Sequence, residues 1–91
     1  MSIAEKIKLI RETEGLGRKA FTDLIGASQR TLEGIEQRGS EPRSDFLMKI
    51  TTHERFKKYT LWLMSNDTAP ECGQIDPDTE VARRANKLKV G

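Results

Sequence analysis

In this 91-residue chain the side chains best suited to specific chemistry are polar and closely spaced: Gln29, Arg30 and Glu33, with Gly34 beside them. If residues from about 29 to 38 form a helix, Leu32 and Ile35 make its apolar side and these four positions fall outside it. A Gln amide can bond bidentately to adenine and a guanidinium to the O6/N7 edge of guanine. A carboxylate can accept from cytosine N4, and each good pair contributes about 1–3 kcal/mol of discrimination. Glu33 can equally serve to orient Arg30. Gly34 would let the helix backbone approach a base or a thymine methyl, although glycine inside a helix costs about 1 kcal/mol relative to alanine. The same residue types also make an ordinary solvated helix face, so composition leaves both readings open.

Other chemistries find little support. His53 and Cys72 stand alone, whereas a zinc site needs about four ligands, so no metal is expected. One histidine offers little general acid–base chemistry, and neither a nucleophile triad nor a phosphate-cradling glycine loop is present, so neither an enzyme nor a cofactor is expected. The longest apolar run, Leu61–Met64, falls far short of the roughly 20 residues of a membrane span. A cytosolic protein is the expectation, with a reduced surface thiol at Cys72.

Sixteen Lys+Arg against 14 Asp+Glu leave a net charge of only +2, but the charge is segregated. Residues 1–60 carry +3, residues 61–80 carry −5 and residues 81–91 carry +4. An acidic stretch therefore masks basic character on both sides of it, which matters for a polyanionic partner.

The elements that must position the polar face are helices, because no part of residues 1–64 alternates with period 2. Ile3, Ile7 and Ile10 share one face of a first helix, capped by Ser2 and stopped at Gly15. A second helix fits Arg18–Ile25, with Phe21, Leu24 and Ile25 inward. Gly26-Ala27-Ser28 then turns the chain, Gly26 supplying a positive φ and Ser28 capping the third helix. After the breaker Gly39-Ser40-Glu41-Pro42, a fourth helix spans about Ser44–Thr51 on Phe46, Leu47 and Ile50. A fifth is expected over Phe56–Met64. Residues 65–75 have the composition of a linker or surface loop. Asp76-Pro77 opens a possible terminal helix to about Leu88, with Val81, Ala85 and Leu88 on one side.

The segment from Leu16 to Gly39 resembles the helix-turn-helix of the lambdoid phage repressor and Cro family. The resemblance covers about residues 3–64 and is most specific at the Gly26-x-Ser28 turn, the Thr31-Leu32-x-x-Ile35-Glu36 run and the Gly39-x-x-Pro42 exit. It implies an all-α fold: a compact five-helix, lambda-repressor-like DNA-binding domain over residues 1–64. Residues 65–91 then form a C-terminal extension, an acidic linker and basic tail with room for a short helix. The N-terminal half of the third helix would enter the major groove, with Gln29, Arg30, Glu33 and Gly34 at the bases. Phosphate contacts are expected from the borders of the motif: Arg18, Lys19, Ser28, Thr31, Arg38, Ser40 and Arg43. Arg11 and Glu36 match family positions that form a partly buried ion pair, with Arg11 a further phosphate candidate. Two residues depart from the family pattern: Arg18 replaces the usual Gln, and Thr22 replaces the usual Ala where the two helices approach.

Leu61, Trp62 and Met64 belong to a segment that is apolar all round, which fits either a buried fifth helix or a dimer interface. Palindromic operators mirror dimers, so a homodimer on a palindromic double-stranded operator is expected. The resulting expectation is a phage- or prophage-type repressor that occludes RNA polymerase, with no small-molecule ligand. The 27 residues after Met64 are expected to be too few for a further sensing domain, so the sequence is either complete and Cro-like in size or a DNA-binding fragment of a longer repressor. The competing expectation is an antitoxin-like or adaptor module holding a protein partner through the fifth helix and the tail, where Arg83, Arg84, Lys87 and Lys89 are alternatively extra phosphate contacts.

Overall fold

The computed structural model describes residues 1–90, with side chains through residue 87. Among the described residues there are six α-helices and no strand: α1 (Ile3–Thr13), α2 (Arg18–Ile25), α3 (Gln29–Arg38), α4 (Ser44–Thr51), α5 (Thr60–Ser65) and α6 (Pro77–Val90). Local sequence sets most of the boundaries. Ser2 and Glu5 cap α1 reciprocally, each side chain accepting from the other residue's backbone N–H at 3.2–3.3 Å. Gly26 ends α2 at φ +74°, in the left-handed region that only glycine enters without strain. Ser28 Oγ then accepts from Thr31 N–H at 3.1 Å and starts α3 two residues later. Asp76 does the same for α6, accepting from Thr79 N–H at 2.8 Å with Pro77 in the first turn.

One apolar core unites the helices. Ile7 and Ile10 from α1, Phe21 from α2, Leu32 from α3, Ile50 from α4 and Leu63 from α5 are all buried in it. Phe21 meets Phe56 at a ring-centroid distance of 4.9 Å, and His53, in the turn after α4, stacks on Phe56 at 4.8 Å.

Three sequence expectations are corrected by this packing, and a fourth is narrowed. Leu24 is 44% exposed rather than inward, because the face that α2 buries runs through Phe21, Thr22 and Ile25. The single helix expected over Phe56–Met64 is a 3-10 turn at Lys57–Tyr59 followed by the shorter α5. The tighter turn points both Phe56 and Tyr59 into the core. Residues 65–75, expected as a linker or surface loop, form a packed surface loop. Ile75 enters the core and its N–H donates to the Lys58 carbonyl at 2.9 Å, while Gln74 Oε1 accepts the Leu61 N–H near the start of α5 at 3.0 Å. Finally, α6 does not pack through Val81 and Ala85, which are exposed; Pro77 and Glu80 are the buried positions. The Leu88 and Lys89 side chains of that expectation lie outside the described residues.

The reason α6 buries a polar face is the carboxylate beneath it. The Glu14 side chain, at the end of α1, is 1% exposed. It accepts from Tyr59 Oη at 2.6 Å, Arg55 Nε at 2.8 Å and Arg84 Nη2 at 3.0 Å, with Lys58 Nζ at 3.2 Å. Glu80 joins from α6, its Oε2 lying 2.8 Å from Arg84 Nε and 3.2 Å from Lys58 Nζ. Arg84 also donates to the Thr13 carbonyl at 2.9 Å, closing the C-terminus of α1. At the other end, Lys6 Nζ on α1 donates to the carbonyls of Trp62 and Leu63 at 3.2 Å each, tying α1 to α5. Burial alone would raise the Glu14 carboxyl, yet Tyr59, Arg55 and Lys58 hold it below the usual carboxylate value. The Tyr59 hydroxyl shifts the other way: burial first, then the Glu14 carboxylate, raise it well above an ordinary phenol.

Removing the charge at Glu14 leaves three cations facing a neutral group, so Glu14→Gln is expected to lower unfolding stability at pH 7 by about 3 kcal/mol in urea titrations. Because the folded carboxyl titrates below its unfolded counterpart, its contribution is complete above the unfolded value of about 4.3 and is lost as pH falls through the folded value. The gap between wild type and Glu14→Gln should therefore close on acidification from pH 7 to pH 3. A gap that stays constant with pH contradicts the assignment.

Candidate nucleic-acid interface

The orientation of α3 is fixed from behind by Glu36, whose side chain is 1% exposed. Arg11 on α1 grips it with two hydrogen bonds, Nε to Oε2 at 2.8 Å and Nη2 to Oε1 at 2.9 Å. Arg18 on α2 adds Nε to Oε1 at 3.0 Å. One carboxylate thus joins three helices, and Arg11 has a third bond, to the Leu16 carbonyl at 2.9 Å. Burial pushes the Glu36 carboxyl up, but Arg11 and Arg18 outweigh it and hold the group below its usual value; the hydrogen bonds that Arg11 donates to Glu36 raise Arg11 in turn. Thr22, at the approach of α2 to α3, is buried without an unmet polar atom. Its hydroxyl is shared between the Arg18 and Lys19 carbonyls at 2.9 and 3.1 Å of its own helix.

In front, Gln29 and Arg30 are exposed and Glu33 is half-buried, with Gln29 Nε2 donating to Glu33 Oε1 at 3.4 Å. Ser28, Arg30, Thr31, Arg38, Ser40 and Arg43 come together in a groove of about 510 Å³ between α3, the loop after it and α4. Lys49 of α4 lines the same groove and was not singled out from sequence. Its signal was available: it precedes buried Ile50 and lies one turn after buried Phe46, at the edge of the face that α4 packs. Glu41 and Asp45 are the acidic residues of the lining.

Of the remaining expected residues, Gly34 also lines the groove. Arg18 is bonded to Glu36, and Lys19 is paired with Asp23 at 2.9 Å on the exposed side of α2. Gly34 is buried, with the Arg38 guanidinium beside the place a Cβ would occupy. Leu61 and Trp62 are half-buried on α5 and Met64 is 54% exposed, remote in sequence from the groove.

Charge pairing separates the arginines into two groups. Among the described residues Arg11, Arg18, Arg55, Arg83 and Arg84 each lie within 4.0 Å of a carboxylate oxygen. Arg30, Arg38 and Arg43 are in no such pair, and all three line the groove. The arrangement presents unneutralised guanidinium groups beside exposed amide and hydroxyl side chains, which is the chemistry of a surface for phosphate and base-edge acceptors.

No protein-family model matches the chain. Repressor protein C of Escherichia phage P2 is 46% identical to it over 76 residues, which are 84% of this chain and 77% of that protein. Identity at this level across most of both chains places them in one family, a family of repressors rather than enzymes. The chain belongs to the phage repressor family that includes repressor protein C of phage P2.

Proposed function

We propose that this protein is a sequence-specific, double-stranded-DNA-binding transcriptional repressor of the lambdoid repressor/Cro type, acting inside the bacterial or phage-infected cell by occupying an operator. The observation that carries this reading is the concentration of Arg30, Arg38 and Arg43, without carboxylate partners, in the groove along α3. The kinship to a phage repressor supports it. In this reading α3 lies in the major groove with Gln29, Arg30 and Glu33 at base edges. Ser28, Thr31, Arg38, Ser40 and Arg43 hold phosphates around it, with Lys19 at the flank. Arg18 reaches phosphate only from its hydrogen bond to Glu36, so its main contribution is to brace α3. Gly34 serves the surface through the side chain that covers it. The DNA-reading unit is residues 1–64, with the remaining chain packed on it through Ile75 and α6.

Half-exposed Leu61 and Trp62 beside Met64 support pairing of two copies through α5 on a palindromic site. An adaptor role for the tail is less favoured, because Glu80 and Arg84 are already engaged with Lys58 and Glu14 of the same chain.

Selection of bound sites from random duplex DNA at fixed salt tests the reading directly. Enrichment of one sequence is expected, and failure to enrich any overturns it. Arg30→Ala should relax preference at one base pair per half-site, by about 1–3 kcal/mol of lost discrimination. Arg43→Ala should weaken binding to all sequences alike and reduce the dependence on log salt by about one unit. The pairing of copies is tested separately by sedimentation of the protein on the selected duplex. Two copies per site are expected for wild type and one for Met64→Glu; two copies with the variant would remove α5 from the interface.

A further inference from the structure

Glycine is the poorest residue for a helix interior apart from proline, and Gly34 sits in the middle of α3. The fold does not demand it. Its φ is not left-handed, and none of the atoms nearest the place of its missing Cβ is backbone. The three atoms nearest a Cβ built at this position all belong to side chains: Arg38 Nη2 at 2.8 Å and Cζ at 3.6 Å, and Ser40 Oγ at 3.8 Å. The first distance is shorter than real Cβ contacts allow, so a methyl group here and the present Arg38 guanidinium position exclude each other. What would yield is the far end of a flexible side chain, not the helix.

The geometry explains how Arg38 comes to be there. Side chains on an α-helix lean toward its N-terminus, so a residue covers the turn before its own Cα, and Arg38 is one turn after Gly34. Arg30, Gly34 and Arg38 recur at intervals of four along one ridge of α3, the ridge that borders the groove. Arg38 has no carboxylate partner among the described residues to hold it anywhere else. The missing Cβ is the feature that gives its guanidinium a seat on that ridge.

We propose that Gly34 is a positioning residue for Arg38: lacking a side chain, it lets the Arg38 guanidinium fold back one turn onto the recognition ridge, where it bonds an acceptor of duplex DNA. The proposal rests on the DNA-binding reading above and adds to it a specific division of labour. Position 34 contributes no contact of its own, and Arg38 supplies the side chain that this position lacks. The acceptor is a phosphate oxygen or the O6/N7 edge of guanine, both of which suit a planar guanidinium.

The test is a double-mutant cycle on the full chain, with Gly34→Ala, Arg38→Ala and the combination, read by affinity for the duplex enriched in selection and by thermal unfolding. Gly34→Ala should leave the melting temperature equal to wild type or raise it, because alanine favours the helix. It should nevertheless weaken DNA binding by roughly five- to tenfold, and Arg38→Ala by roughly tenfold or more. The double variant should bind no more weakly than Arg38→Ala alone. Loss of affinity for an unrelated duplex as well identifies phosphate as the acceptor, and loss confined to the selected duplex identifies guanine. The proposal is overturned if Gly34→Ala binds as wild type, if Arg38→Ala does, or if Gly34→Ala weakens the Arg38→Ala background as much as wild type. That last result would mean the glycine backbone itself touches DNA. Wild type that binds no duplex overturns both this inference and the DNA-binding reading, whereas wild-type binding with an unaffected Gly34→Ala overturns this one alone.

Discussion

A carboxylate taken out of water costs several kcal/mol unless charge and hydrogen bonds replace its hydration, and the arrangement of the first three helices follows from meeting that requirement at Glu36. Its side chain is 1% exposed, and its two oxygens are satisfied by Arg11 from α1 and Arg18 from α2. Two arginines on different helices can converge on one carboxylate only within a narrow range of interhelical placements. The angle at which α3 stands to the body is therefore set by a directional contact as well as by the apolar packing of Leu32 and Ile35. The same contact decides which charges remain for a partner. Arg11 and Arg18 are committed inward, and the outward face of α3 keeps arginines that nothing in the described chain neutralises.

Glu14 repeats this arrangement at the C-terminal end of α1 and accounts for the rest of the chain. It draws together Arg55, Lys58 and Tyr59 from the segment before α5 and Arg84 from α6. The acidic and basic blocks of the last third of the sequence are in part complementary halves of this cluster. Glu80 from the acidic block and Arg84 from the basic block bind each other and the body at once. The terminal helix is consequently held by charge, while its apolar Val81 stays at the surface.

Features set by neighbouring residues were legible in the sequence, and features set by distant partners were not. Ser2, Gly15, Gly26, Ser28 and Asp76 act within a few residues of themselves, and each marks a helix boundary where expected. The periodicity of Ile7, Ile10, Leu32, Ile35, Phe46 and Ile50 likewise identifies core positions correctly. Leu24 was misplaced because hydrophobicity says nothing about which side of a two-turn helix meets its neighbours. The α6 face was misread for a related reason: a buried glutamate is recognisable only when its cations are known, and Lys58 is 22 residues away. At the candidate site, the exposed Gln29 and Arg30 follow from the helical period. The covering of Gly34 required knowing which rotamer Arg38 adopts.

In the proposed function the exposed face of α3 reads DNA while Glu36 keeps the helix in place. The most direct measurement is a crystal structure of the full chain on the duplex it selects. The expected result places α3 in the major groove, with Gln29 and Arg30 within hydrogen-bond distance of base edges and Glu36 still held by Arg11 and Arg18. A complex in which α3 faces solvent, or in which DNA lies against another surface of the protein, would contradict it.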